Sequence, residues 1–265
     1  MLRSTKDLER YAIGATDGTI GHVEDFYFDD KSWAVRYLVV DAGAWLTSRK
    51  VLVSPISIGE PDWDKKTLPV ALSKEQVKNS PDIDTAKPVS RQHEIELSGY
   101  YGYPFYWGGD GLWGGGAYPN MLLPGAEGFG SPAAGRMEAD NAYARERQAH
   151  ENDDPHLRSC NEVTGYHIHA TDGDIGHVQG MLIDDKSWAL RYLIVDTSNW
   201  WVGHKVLISP QWIKDVSWSD SSVSVNVARQ AVKDSPPYDP SVTVDREHEK
   251  TLYRFHERPG YWGPE

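Results

Sequence analysis

The sequence predicts a mainly β protein: two small antiparallel β-barrels, each followed by short helices and related by internal duplication. Three observations predict it. Long stretches recur in register 155 positions apart, as Ala15–Val23 (ATDGTIGHV) and Ala170–Val178 (ATDGDIGHV) show. Within each copy, short apolar runs are separated by Asp-Gly, Asp-Asp-Lys-Ser and Ser-Pro breaks. After those runs the pattern changes to helix-start signals.

The repeat extends far beyond one motif. Asp29–Asp41 (DDKSWAVRYLVVD) matches Asp184–Asp196 (DDKSWALRYLIVD), and Lys50–Pro55 matches Lys205–Pro210. Trp63 falls opposite Trp218, and Tyr106-Trp107 opposite Tyr261-Trp262. Compositional bias does not keep tryptophans in register. So long a period marks a duplicated domain and not a solenoid. The copies span residues 1–108 and 156–265, with residues 109–155 between them. Two like folds in one chain predict a pseudo-dimer, whose equivalent surfaces can meet as in a two-fold oligomer.

Each element has a local cause. Asp17-Gly18 and Asp172-Gly173 sit between alternating runs, where Asp-Gly favours a tight hairpin turn. Val23–Phe28 and Trp33–Asp41 read as the strands around a polar turn, rich in the aromatic and β-branched residues strands prefer. In the second of these, Val35, Tyr37 and Val39 share one face and Arg36, Leu38 and Val40 the other, so both faces are expected to be covered. Lys50–Val53 is a further strand ended by Ser54-Pro55, and the stretch 56–70 supplies two more. About six antiparallel strands per copy suit a closed or nearly closed barrel. Ser73 and Gln76 then form a capping box. Ala228 stands where that cap would recur. A second helix is expected after Ser90 and after Asp245, both favoured N-cap types.

Composition narrows the function classes. The formal charge is −12, with no basic run, which argues against a phosphate-neutralising nucleic-acid surface. No window reaches the apolar length of a membrane span, so no membrane insertion is expected. The charged start of the chain has no apolar stretch behind it and reads as lacking a signal peptide. Together these predict a soluble cytoplasmic protein. The single cysteine, Cys160, excludes an internal disulfide framework.

The ordered series D-G-x-I-G-x-V, acidic turn, W-x-[VL]-R-Y-L-[VI]-V-D, K-V-L-[VI]-S-P, then VK[ND]SP, R-x-H-E and Y-W occurs twice. It resembles the PRC-barrel domain, and in its helical tail the stand-alone bacterial members of that family. The resemblance covers nearly all of residues 1–108 and 156–263. It implies the fold and a style of work. The family includes the cytoplasmic domain of the photosynthetic reaction-centre H subunit of purple bacteria and a domain of a ribosome maturation factor. Its common feature is association with other macromolecules. No catalytic residues come with it, and this chain lacks the H subunit's membrane helix.

Between the copies, Tyr100–Gly116 is rich in glycine and aromatic residues, unlike a flexible polar linker. Its rings favour burial against the protein or a partner. Glu138–Glu151 reads as a solvated charged helix. The search for chemistry is short. His167 and His169 lie two apart on one strand face, with His177 nearby, and a third ligand would complete a transition-metal site. Copy one has Ala12 and Gly14 at the first two positions. Asp29-Asp30 and Asp184-Asp185 lack calcium-loop spacing and read as turns. No nucleotide loop, nucleophile elbow or H-E-x-x-H motif is present.

These residues point to a non-enzymatic scaffold or regulator that needs no cofactor and works through protein partners, its own copies included. Trp33, Tyr37, Trp188 and Tyr192 are the candidates for barrel structure or interface, and Tyr100, Tyr103 and Trp107 for contact by the aromatic segment. One rival is an enzyme, metal-binding or small-ligand protein with its site at the barrel junction, using His167, His169 and His177. Another is a membrane-associated accessory of electron transfer, similar to the H subunit.

Overall fold

The protein was analysed as a computed structural model, which describes residues 1–46, 49–83, 89–107, 109–122, 144–146, 148, 156–197 and 204–263. Most of the expected charged helix at 138–151 lies outside these residues. The chain is mainly β and divides into two compact units. One holds Leu8–Ser159; the other holds Met1–Asp7 with Cys160–Glu265. The sequence copies start at residues 1 and 156, so each unit contains the opening strand of the other copy.

In the unit of residues 8–159, strands β2 (Ala12–Ala15), β3 (Gly18–Asp29), β4 (Ala34–Asp41), β5 (Lys50–Val53) and β6 (Thr67–Pro69) run in the order β5-β4-β3-β2-β6. Helices α2 (Lys74–Lys78) and α3 (Arg91–Tyr101) follow, and β7 (Leu157–Ser159) pairs with the far end of β3. The other unit begins with β1 (Leu2–Ser4) and most of α1 (Thr5–Leu8). It continues with α4 (Cys160–Val163), β8 (His167–Ala170), β9 (Gly173–Asp184), β10 (Leu190–Asp196), β11 (Lys205–Ile208), β12 (Ile213–Ser217), β13 (Ser222–Val225), α5 (Arg229–Lys233) and α6 (Arg246–Phe255). Its strand order is β11-β10-β9-β8-β13-β12, with β1 on β9.

The expected closed, all-antiparallel barrels are not what forms. Among the described residues each sheet is open, and each contains one parallel pair, β2 with β6 and β8 with β13. The cause lies at Ser-Pro. Pro210 opens a three-residue 3-10 turn, with Ser209 Oγ accepting from Gln211 N, and Pro55 does the same behind Ser54. Proline has no N–H for a ladder. The chain is therefore carried onward without reversing, so β11 and β12 run the same way at opposite ends of the sheet. In a flat sheet those ends would lie about 24 Å apart. The link through Ser209–Trp212 spans less than about 15 Å. The sheet is consequently strongly curled, with β11 and β12 unpaired to each other.

The turns also differ in detail. Ala15 pairs with Gly18, so Thr16 and Asp17 form the loop and only Gly18 takes positive φ, at 135°. Asp17 serves another purpose. Its carboxylate accepts from Lys74 N at 2.8 Å, tying the hairpin to the start of α2, and Asp172 does the same for Arg229 N at 2.7 Å. The second glycine of the motif permits a close crossing. A Cβ on Gly21 or Gly176 would lie 2.0 Å from the carbonyl oxygen of Asp41 or Asp196. At the acidic turns, Asp29 Oδ1 accepts from Lys31 N and Ser32 N, and Trp33 is held at φ 53° with its N–H on Asp29 O. Asp184 and Trp188 (φ 58°) repeat that closure. A bulky residue in this region is strained, and the aspartate holds it there in both copies, accepting from Ser32 N in one and from Ser187 Oγ in the other.

Candidate functional site: a repeated carboxylate cluster and an apolar groove

The sequence places a charged residue in the middle of an apolar strand, Arg36 on β4, and its environment shows why the strand tolerates it. Arg36 Nη1 donates to Leu112 O at 2.7 Å and Nη2 to Ser32 Oγ at 3.0 Å. The guanidinium lies 3.8 Å over the Tyr106 ring and 4.6 Å over Trp113. Such stacking suits a weakly hydrated, planar cation. Burial lowers the Arg36 pKa from its ordinary value, with Tyr106 and Asp29 opposing that shift.

Beneath it, α3 presents a fully buried carboxylate, Glu94. Ser90 caps this helix by accepting from His93 N, which fixes the first turn that carries Arg91 and Glu94. Tyr106 donates its hydroxyl to Glu94 Oε1 at 2.5 Å. Arg91 Nη1 meets Oε2 as an ion pair at 3.0 Å and His156 Nε2 lies 2.8 Å from the same oxygen, without in-line hydrogen bonds. Burial and the adjacent Glu94 charge push the Tyr106 hydroxyl well above its ordinary pKa, and Tyr37 behaves alike. Burial also pulls on Arg91, but Glu94 and Tyr106 outweigh it and its pKa rises. All these groups hold one another in place. The arrangement holds a buried charge pair, Arg91 with Glu94.

The other unit repeats the cluster with less cover. Tyr192 and Tyr261 both donate to Glu249 Oε1, at 2.9 and 2.8 Å, and Arg246 Nη1 lies 3.1 Å from Oε2. Arg191 stacks 3.9 Å over Tyr261. Here the Arg246 side chain is 45% exposed, against 11% for Arg91. Burial and Glu249 raise the Tyr192 and Tyr261 pKa values strongly.

The same unit also carries a groove of about 420 Å³ between α6 and the segment 236–244. Leu207, Pro236, Pro237, Val244 and Leu252 line it with Val242, which is 48% exposed. Asp239 and Glu247 also line it, Glu247 in an ion pair with Lys250 at 3.1 Å.

The candidates read from sequence fall in different places. Tyr37, Trp188 and Tyr192 are buried, and Trp33 stacks on Phe28 at 5.0 Å. Tyr103 is buried and stacks on Tyr101, whereas Tyr100 is 40% exposed and donates to Gln76 O at 2.7 Å. Trp107 stacks on Phe105 under Arg91, and its Nε1 donates to Glu146 Oε2 at 2.8 Å. The aromatic segment thus packs onto its own unit, with Trp113 fully buried. His167 pairs in register with His177, while His169 Nδ1 meets Asp174. Among the described residues no three His, Cys, Asp or Glu side chains converge to hold a metal ion.

Sequence reasoning missed the roles of Arg36, Glu94, His156 and Tyr106. A signal existed, because the arginine inside W-x-[VL]-R-Y and the glutamate of R-x-H-E repeat in register. Set against known proteins, the chain matches no family model and no curated sequence.

Proposed function

We propose that the chain is a non-enzymatic binding protein built from two PRC-barrel-type units, and that the groove beside α6 receives a segment of a partner protein. The observation that carries this reading is the groove itself. It is an apolar trough with the exposed Val242 at its edge, large enough for one or two apolar side chains of a peptide. The acidic lining by Asp239 and Glu247, on a chain of net charge −12, selects the partner's chemistry: an apolar anchor flanked by lysine or arginine. The ionisable clusters support the same reading. Their charges are spent on each other inside the fold and not offered to a substrate. Among the described residues no helix is long and apolar enough to cross a membrane, so the electron-transfer accessory reading gains nothing from the helices.

The test is selection from a displayed random-peptide library on the full chain, followed by affinity measurement on the Val242→Lys variant. Selected peptides should share an apolar anchor with flanking basic residues. The variant should weaken them about tenfold or more, the weight of one lost apolar contact. Peptides without that pattern, or binding unchanged in the variant, would overturn the reading.

A further inference from the structure

The two opening strands make matching ladder and arginine–aspartate contacts in opposite units, while Ser159–Asp25 and Met1 N–Asp185 are each particular to one. Leu2-Arg3-Ser4 and Leu157-Arg158-Ser159 are identical in sequence. Their registers correspond at every position. Leu2, Arg3 and Ser4 face Asp184, Ile183 and Leu182, while Leu157, Arg158 and Ser159 face Asp29, Phe28 and Tyr27. The ion pairs correspond as well, Arg3 Nε with Asp185 Oδ2 and Arg158 Nε with Asp30 Oδ2, both at 3.1 Å. Even the backbone bond before each strand is repeated, Asp185 N to Met1 O and Asp30 N to His156 O, both 3.0 Å.

Each slot exists for a geometric reason. β3 and β9 are twelve residues long, and β2 and β8 pair only with their first halves. The second half of each long strand keeps a free edge of backbone donors and acceptors. An unpaired edge is a template for another strand. In this chain it is filled by the Leu-Arg-Ser strand belonging to the other sequence copy.

We propose that these slots are interchangeable docking sites, and that each accepts the Leu-Arg-Ser strand of a second copy of this chain. Nothing in the slot on β9 distinguishes the strand of its own chain from that of another, because every contact would be reproduced. The chain is then a former of strand-exchanged dimers. Within one chain the tether favours the intramolecular arrangement through an effective concentration of order mM. Protein at comparable concentration shifts the balance. Detaching a three-residue strand is a local opening that leaves the remaining sheet in place. This inference stands apart from the peptide groove and does not depend on it.

Charge reversal on the two sides of one slot tests it. Arg3→Asp and Asp185→Arg are made in separate full-length chains. Each alone has a mismatched slot, and each should stay monomeric in light scattering. Mixed at high concentration, the chains restore two matched pairs only by exchanging strands. The mixture should give a heterodimer fraction about tenfold above either variant alone, the weight of two half-buried ion pairs. The double variant Arg3→Asp/Asp185→Arg, matched within one chain, should behave as the parent does. A mixture that stays monomeric overturns the proposal. Should a reversed chain fail to fold, native mass spectrometry of mixed isotope-labelled and unlabelled parent protein replaces it. Mixed-mass dimers at ~mM protein support exchange, and their absence refutes it.

Discussion

Replacing Glu94 by glutamine separates the energetic weight of the two carboxylate clusters. The side chain keeps its shape and an acceptor for Tyr106, but loses the charge that faces Arg91 and His156 at 3.0 and 2.8 Å. Glu94 is fully buried and Arg91 nearly so, so the remaining cation cannot turn to water. Breaking a buried pair by neutralising one partner costs about 3–5 kcal/mol. The equivalent change, Glu249→Gln, strands Arg246, whose side chain is 45% exposed and free to rehydrate. A loss of about 1 kcal/mol is expected there. Native-state amide hydrogen exchange across a denaturant series, followed by mass spectrometry, resolves the units separately. Protection in β3 and β4 should fall by several-fold more free energy in Glu94→Gln than protection in β9 and β10 falls in Glu249→Gln. Adding Arg91→Met to Glu94→Gln should return part of the loss, since the unpaired charge is then gone. Equal losses in the two units, or no recovery in the double variant, would refute the assignment of a charge lock to Glu94.

Three further outcomes follow from the geometry. Gly21→Ala and Gly176→Ala each force a Cβ to within 2.0 Å of a backbone carbonyl, so each should destabilise its own sheet by about 2–3 kcal/mol or more in urea melts. Trp113→Ala removes a fully buried ring that covers Arg36 at 4.6 Å, and should cost about 3–5 kcal/mol and expose Arg36 to water, seen as faster exchange in β4. His256 is held down to about 4 by burial and then by Arg258, beside Trp212 and Ser235. A depressed histidine favours the neutral form in the fold. Its contribution is present above the unfolded value near 6.5 and is lost as pH falls toward the folded value. After discounting for partial exposure, about 1 kcal/mol should disappear between about pH 7 and pH 4.5, and His256→Phe should flatten that part of the pH profile.

Much of the architecture was legible because local rules act locally. The Ser73 capping box and the Ser90 and Asp245 N-caps form with the expected bonds, and Ala228 leaves α5 without a side-chain cap. The acidic turns close on Asp29 and Asp184 as their spacing suggests. What was not legible depends on long-range geometry. Ser-Pro ends a ladder in either topology, so the sequence does not reveal that the chain continues without reversing and gives one parallel pair per sheet. Three residues, Leu-Arg-Ser, repeat in register, yet nothing in them states which β-edge they occupy. The candidate aromatic residues were read as structure or surface; Tyr37, Tyr103, Trp188 and Tyr192 lie inside, and Trp107 lies under Arg91.

The two clusters also show why repeated residues do not carry equal roles. Arg36 and Arg191, Arg91 and Arg246, Glu94 and Glu249, and Tyr106 and Tyr261 are matched pairs. Around Glu94 the chain adds His156 and the Trp113 lid, and the result is a buried site, with Glu94 fully covered and Arg91 11% exposed. Around Glu249 the carboxylate is also buried, but its partner Arg246 is 45% exposed, next to the groove that runs along α6. The energetic burden of the motif therefore falls on the first copy. The apolar groove beside α6 is the reason the partner segment is proposed for the second copy.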